Sequence, residues 1–276
     1  MKIPFKTLGK IIMVFLLGNS LMASAQGDLL ITPVRVVFEG AKQMEELSVS
    51  NISKDTARYN ISFVQYRMTQ TGAFQQIEKP DSGQMFADKM LRIFPRVVTL
   101  APNETQIVKV QVKQSTDMTD GEYRSHLYFR STKPQDKNAI KSTTKDTSVG
   151  IKLTPIYGIS IPIIVRKGNL TVTTTIDSVS LAPLNDTTKQ ITFTIHRKGT
   201  ESIFGDLSVT YVDAAGKSSV IGMMRGVSVY TPNHSRTVTI KLNTKEFPVL
   251  KGTLKINYGL NTPKKVVYNT YDYSVN

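Results

Sequence analysis

The chain has no cysteine, no tryptophan and only three histidines in 276 residues. Without cysteine there are no disulfides, no thiol nucleophile and no cysteine-rich metal site. Stability must then come from apolar burial, which a chain of this size can supply. His126, His196 and His234 stand alone, each without a second histidine or an acid at ligand spacing. A Gly-x-Ser-x-Gly elbow, a glycine-rich phosphate loop and a His-Glu-x-x-His pair are also missing. Asp117, Asp120 and Glu122 bunch around a turn, but their spacing fits no EF-hand and acidic turn residues are usually solvated, so no metal is expected there. Neither catalysis nor a cofactor is expected of this chain.

Long hydrophobic runs are equally scarce. The longest, Ile11 to Leu17, is preceded by Lys2, Lys6 and Lys10 and followed by Ala23-Ser24-Ala25, the three-part pattern of a secretory signal peptide. It is far short of the roughly 20 residues of a membrane span. Residues 1–25 are therefore read as a removable leader, leaving a soluble chain of about 250 residues, enough for two domains. Without the three leader lysines, 32 basic residues face 21 acidic ones, a net of +11. They are scattered singly between apolar residues, so no nucleic-acid-binding arm is formed; acidic partners or an anionic envelope surface suit the charge better. Six Asn-x-Ser/Thr triplets occur, a number that chance supplies in a chain rich in Ser, Thr and Asn.

What is abundant is period-two alternation. Leu47 and Val49, then Tyr59, Ile61 and Phe63, then Val108, Val110 and Val112 alternate with polar residues, and turn residues punctuate the runs roughly every ten residues. Helix-like windows such as 84–94 are short and carry no sustained apolar stripe. Residues 131–148 break the pattern: they hold four lysines and one large apolar residue, Ile140, and read as a long mobile loop. From about residue 168 a second series of alternating runs begins. The fold class is all-β, with two immunoglobulin-like antiparallel sandwiches at 26–166 and 167–276.

Two stretches invite function. In "LLITPVRVVFEG" (29–40), read as one strand, Leu30, Val34, Val36 and Phe38 share a face, and Arg35 lies on the other with Ile31 and Val37. That face either meets water or holds the guanidinium ready for an anion. In "VGIKLTPIYGISIPIIVRKG" (149–168), Val149, Ile151, Leu153, Pro155, Tyr157, Ile159, Ile161, Ile163 and Val165 fall on one parity. This is one very long strand, or two broken near Pro155 or Pro162.

Three motifs in order, "RVVFEG" (35–40), "PRVVTLAPNETQIVKVQV" (95–112) and "DGEYRSHLYFRSTKP" (120–134), resemble the periplasmic pilus-assembly chaperones, the PapD-like family of chaperone–usher systems. The resemblance covers 30–165 well and the remainder in general pattern. It implies a non-catalytic periplasmic chaperone that donates an exposed strand to a fimbrial or surface subunit lacking its own, for delivery to an outer-membrane usher. Val149, Ile151, Leu153 and Tyr157 would be the donor residues, and Arg35 would bind the subunit's C-terminal carboxylate. The family also has a lysine farther along the donor strand. Residues 154–165 hold no cation, which leaves Lys152 as the candidate second arm. An exposed apolar edge invites self-association, so capping by dimerisation or by the lysine-rich loop is expected. The rival reading is a secreted adhesion module using an aromatic patch at Tyr268, Tyr271 and Tyr273.

Overall fold

Turn residues cut the alternating sequence into strands, eighteen of them among the described residues. The computed structural model describes residues 29–113, 118–132, 157–185, 188–247, 250–260 and 266–275. The first group comprises β1 (Leu29–Thr32), β2 (Val36–Phe38), β3 (Met44–Asn51), β4 (Ala57–Val64), β5 (Tyr66–Met68), β6 (Phe74–Gln76), β7 (Leu91–Phe94), β8 (Val97–Leu100), β9 (Thr105–Val112), β10 (Gly121–Thr132) and β11 (Gly158–Lys167). One sheet runs β1-β3-β9-β7 and the facing one β2-β11-β10-β4-β8, with β5-β6 as a separate hairpin. Between the two sheets Leu47, Val49 and Val108 meet Ile61, Leu127, Phe129 and Ile163. Each such side chain contributes about 1.5–3 kcal/mol by burial.

The second group is β12 (Val172–Asn185), β13 (Thr188–Gly199), β14 (Ile203–Asp213), β15 (Ser218–Val229), β16 (Ser235–Asn243), β17 (Gly252–Leu260) and β18 (Val266–Val275). Its sheets, β12-β13-β16 and β15-β14-β17-β18, enclose a separate core that includes Phe193, Leu207, Val209 and Ile256. The fold is thus two immunoglobulin-like β-sandwiches. Tyr268, Tyr271 and Tyr273 lie on β18 and pack, partly buried, against this core. They are sandwich residues and not the free aromatic patch of the adhesion reading.

Residues 29–40 do not form one strand. Pro33 has no N–H to continue a ladder, and the chain crosses there from one sheet to the other. β1 pairs with β3, whereas β2 pairs in parallel with β11. The crossing changes parity: Ile31 is buried before it and Val36 and Phe38 after it, while Leu30 (52% exposed) and Val34 (67%) face out. The shared face expected for Leu30, Val34, Val36 and Phe38 therefore holds only for the last two.

Pro162 does not break its strand either; β11 pairs with β10 continuously from Gly158 to Lys167. The Ser131 amide donates to the Tyr157 carbonyl at 2.9 Å. In an antiparallel ladder successive residues point their backbone groups to alternate sides. Tyr157, Ile159 and Ile161 therefore face β10, and Gly158, Ser160 and Pro162 face away from it. Proline is tolerated because that border asks nothing of its missing N–H.

The sandwiches meet around a carboxylate. Glu122, expected to be solvated beside its turn, has a fully buried side chain. It accepts hydrogen bonds from the Ser202 amide (3.0 Å), the Ser202 hydroxyl (2.8 Å), the Thr231 hydroxyl (3.1 Å) and Arg166 Nε (3.1 Å). The β5-β6 hairpin adds a second tie. Asn233 Nδ2 donates to the Met68 carbonyl at 2.7 Å, and the Thr237 amide donates to Gln70 O at 2.8 Å. Met68, Ile164 and Tyr230 form a small core at the seam, with Val37 against it.

Removing one partner of a buried charge pair leaves the other uncompensated. Glu122→Ala is therefore expected to lower the unfolding free energy by about 3–5 kcal/mol. Urea denaturation checks this, and a loss below about 1 kcal/mol, the worth of a surface pair, contradicts the clasp.

Candidate functional site

β2 is only three residues long, and that leaves β11 half covered. It pairs with Ile163, Ile164 and Val165 alone. Among the described residues, the border of β11 from Gly158 to Pro162 has no neighbour opposite β10. Tyr157, at its start, is 71% exposed. A Cβ at Gly158 would lie 2.3 Å from the far end of the Tyr128 ring, which would have to shift to make room. Of the expected donor residues, Val149, Ile151 and Leu153 lie outside the described residues, as does Lys152.

Arg35 immediately precedes β2. Continuing the register of Val36↔Ile163 and Val37↔Ile164 backward places it level with Pro162, at the end of the uncovered border. It is half-buried against the second sandwich. Nη1 donates to Tyr230 Oη at 3.0 Å, and the guanidinium lies 4.7 Å from the Phe204 ring centre and 5.4 Å from that of Tyr230. Among the described residues it has aromatic and hydroxyl partners and no ion-pair partner. Neither sequence alternative describes this fully: the residue faces a cleft, which is neither open water nor a closed pair.

A second guanidinium, missed in the sequence, lies on the same face of the same sheet. Arg124 on β10 is opposite Ile164 and 3% exposed. Its guanidinium carbon is 4.3 Å from the Tyr230 ring centre, so one ring contacts both arginines. Nη2 reaches the Thr231 carbonyl at 3.5 Å, while Nε and Nη1 are buried without a hydrogen-bond partner among the described residues. Burial lowers the Arg124 pKa, Tyr230 and Glu122 oppose that shift, and Arg35 adds to it.

His126 follows on that face, level with Pro162 and also buried. Tyr66 and Phe74 meet its ring edge-on at 5.0 and 5.3 Å. Phe74, on the hairpin, remains 47% exposed and ties this aromatic group to Tyr230 at 6.2 Å. The sequence signal was "EYRSHLYFR", where a polar parity alternates with an apolar one. A polar face usually meets water; here β10 is buried on both faces. The junction can therefore hold an anion at the end of a free strand border, between aromatic walls. His196, by contrast, is a half-buried partner of Asp177 at 2.9 Å. Among the described residues no cluster of His, Cys, Asp and Glu could hold a metal ion.

The chain is a two-sandwich β-protein with a basic, aromatic cleft at the sandwich junction. It is similar in outline to several solved chaperone structures. The Pseudomonas aeruginosa CupB2 chaperone is 14% identical with a TM-score of 0.41, over 89% of this chain and 100% of that one. A chain of the Salmonella enterica SafA pilin–SafB chaperone complex is 13% identical with a TM-score of 0.42, over 92% and 99%. A chain of the CsuC–CsuE chaperone–tip adhesion subunit pre-assembly complex from Acinetobacter baumannii is 10% identical with a TM-score of 0.44, over 89% and 98%. No family model and no curated protein matches the sequence.

Burial, then the neighbouring Arg124 and Arg35, depresses the His126 pKa from its ordinary 6.5 to about 3. Folded His126 stays neutral where the unfolded chain takes up a proton. Its contribution to stability is whole above about pH 6.5 and is lost as pH falls toward 3. Between pH 6.5 and 5 the protein should lose about 2 kcal/mol of unfolding free energy from this group. His126→Leu should flatten that part of the curve in denaturation at stepped pH, and an unchanged slope would contradict the assignment.

Proposed function

We propose that this chain is a non-catalytic periplasmic chaperone. It would hold a secreted fimbrial or surface subunit that lacks one strand, and lend it the segment that runs into β11. The observation that carries this reading is the uncovered border at 158–162, ending at Arg35. β2 continues that border in parallel with β11. A client strand laid along the border in the same direction therefore runs its C-terminus into Arg35, whereas an antiparallel one would present its N-terminus. Direction and carboxylate recognition follow from one arrangement.

The energetics suit the role. Backbone groups of Gly158 and Ser160 offer a ladder, which gives direction and register. Upstream, Val149, Ile151 and Leu153 continue the parity of Ile159 and Ile161. Inserted into an incomplete sandwich, each would contribute about 1.5–3 kcal/mol. A planar guanidinium that is always charged suits a carboxylate, which it can grip through two parallel hydrogen bonds. Lys152 on the donor segment is the sequence's candidate for a second cation.

The net charge of +11 without the leader and the leader-like residues 1–25 support an envelope compartment. Among the described residues no helix is long and apolar enough to cross a membrane. Delivery to an outer-membrane usher, and capping of the apolar edge by a second copy between clients, complete the proposed cycle.

Three results test the reading. Protein purified from its native periplasm should bring small β-rich subunits that end in an apolar alternating strand; recovery with no polypeptide partner would contradict it. Ile151→Asp with Leu153→Asp should abolish that association, and undiminished binding would exclude donation through this segment. Arg35→Ala should cost about 2–5 kcal/mol of affinity if the pair is buried. In calorimetry, a client with an amidated C-terminus should show the same deficit; full affinity of that client would remove the anchor role.

A further inference from the structure

Arg124 is expensive where it sits. A guanidinium shut away from water with two nitrogens unpartnered costs stability unless something arrives to use them. The acid whose charge reaches it, Glu122, already accepts from Ser202, Thr231 and Arg166. An unbranched apolar side chain would fill much of the same space without that cost. Arg35, two strands away on the same face and two residues offset in register, has the complementary arrangement: a weak acceptor, the Tyr230 hydroxyl, in the position a carboxylate would fill better. Tyr230 packs on Ile164, the residue between the two arginines in the sheet.

We infer that Arg124 is the second cationic arm of the anion site and that Tyr230 keeps the place of the ligand. The ligand is the carboxylate ending a polypeptide strand laid against β11. On arrival it displaces the Tyr230 hydroxyl from Arg35 Nη1, the ring tilts off Arg124, and Nε and Nη1 of Arg124 gain their acceptor. Tyr230 belongs to the second sandwich, so occupancy of the site is coupled to how the two sandwiches meet. This gives the second sandwich a part in recognition as well as support. The inference rests on the strand-donation reading and adds to it a residue, Arg124, on the strand next to the donor.

The test uses the whole mature chain and the tripeptide N-acetyl-Val-Thr-Val as free acid, its amide, and acetate. It follows the side-chain Nε–H resonances of arginine by NMR. The free acid should move the Arg35 and Arg124 signals together and saturably, and the amide should move neither. Arg124→Met should weaken the free acid at least tenfold while leaving the melting temperature equal or higher, because the uncompensated charge is gone. Tyr230→Phe, which frees Arg35 without removing the ring, should tighten it severalfold. Lys152→Ala should leave it unchanged.

An Arg35 signal that moves while Arg124 stays still overturns this inference alone; neither moving overturns the carboxylate site itself. A melting temperature lowered by Arg124→Met makes the residue a structural prop and overturns its assignment as an arm. Weaker binding by Tyr230→Phe overturns the placeholder role, and a loss on Lys152→Ala returns the second arm to the donor segment. Acetate saturating as tightly as the tripeptide would overturn the choice of a polypeptide terminus over a small free anion.

Discussion

Backbone hydrogen bonding along β11 governs what the rest of the molecule can do. A strand inside a sheet needs a neighbour on each side, and β11 has β10 along its whole described length but β2 along only three residues. The shortness of β2 follows from the crossing at Pro33, which hands the first half of that segment to the opposite sheet. One sheet gains an edge strand, and the other is left with a border that is open among the described residues. Pro162 fits that border because its position donates nothing. An uncovered, flanking-apolar strand is a liability that proteins ordinarily blunt, and here it runs beside two arginines.

The junction adds charge and aromatic surface at the end of this edge. Glu122 fixes the second sandwich through Ser202 and Thr231, and the next residue toward the hairpin side, Tyr230, is thereby set over Ile164 with an arginine on either hand. The hairpin closes the same region by hydrogen bonds from Asn233 and Thr237. Charge balance at the seam is deliberate in its asymmetry. Arg166 is shared among Glu39, Glu122 and Glu201, while Arg35 and Arg124 lie against aromatic rings with one neutral acceptor each, the Tyr230 hydroxyl and the Thr231 carbonyl. The acids lie where the sandwiches are tied together, and the two arginines without an ion pair lie beside the border of β11.

Much of the sandwich architecture was legible in the sequence because period two is a local signal. Val108 and Val110 alternate with Lys109 and Gln111 whatever lies beyond them. The crossing at Pro33 was not legible, since apolar residues at 30, 31, 34, 36, 37 and 38 satisfy either parity. Arg35 was visible as an oddity, but its surroundings come from residue 230, 195 positions away. Arg124 and Glu122 were hidden for the same reason. Their partners lie 107 positions on for Arg124, and 80 and 109 positions on for Glu122, and a polar parity on a strand looks solvated until a second sandwich covers it. Long-range burial, rather than local pattern, decided those residues.

Amide hydrogen exchange at Gly158 and Ser160 tests the central claim most directly, because their N–H groups face the border that β2 leaves open. The account predicts fast exchange at both in the free protein, and strong protection once a subunit with a free C-terminus is bound, while Ile159 and Ile161 stay protected throughout by β10. Protection of Gly158 and Ser160 already in the free, monomeric protein, or continued fast exchange in the complex, would contradict it.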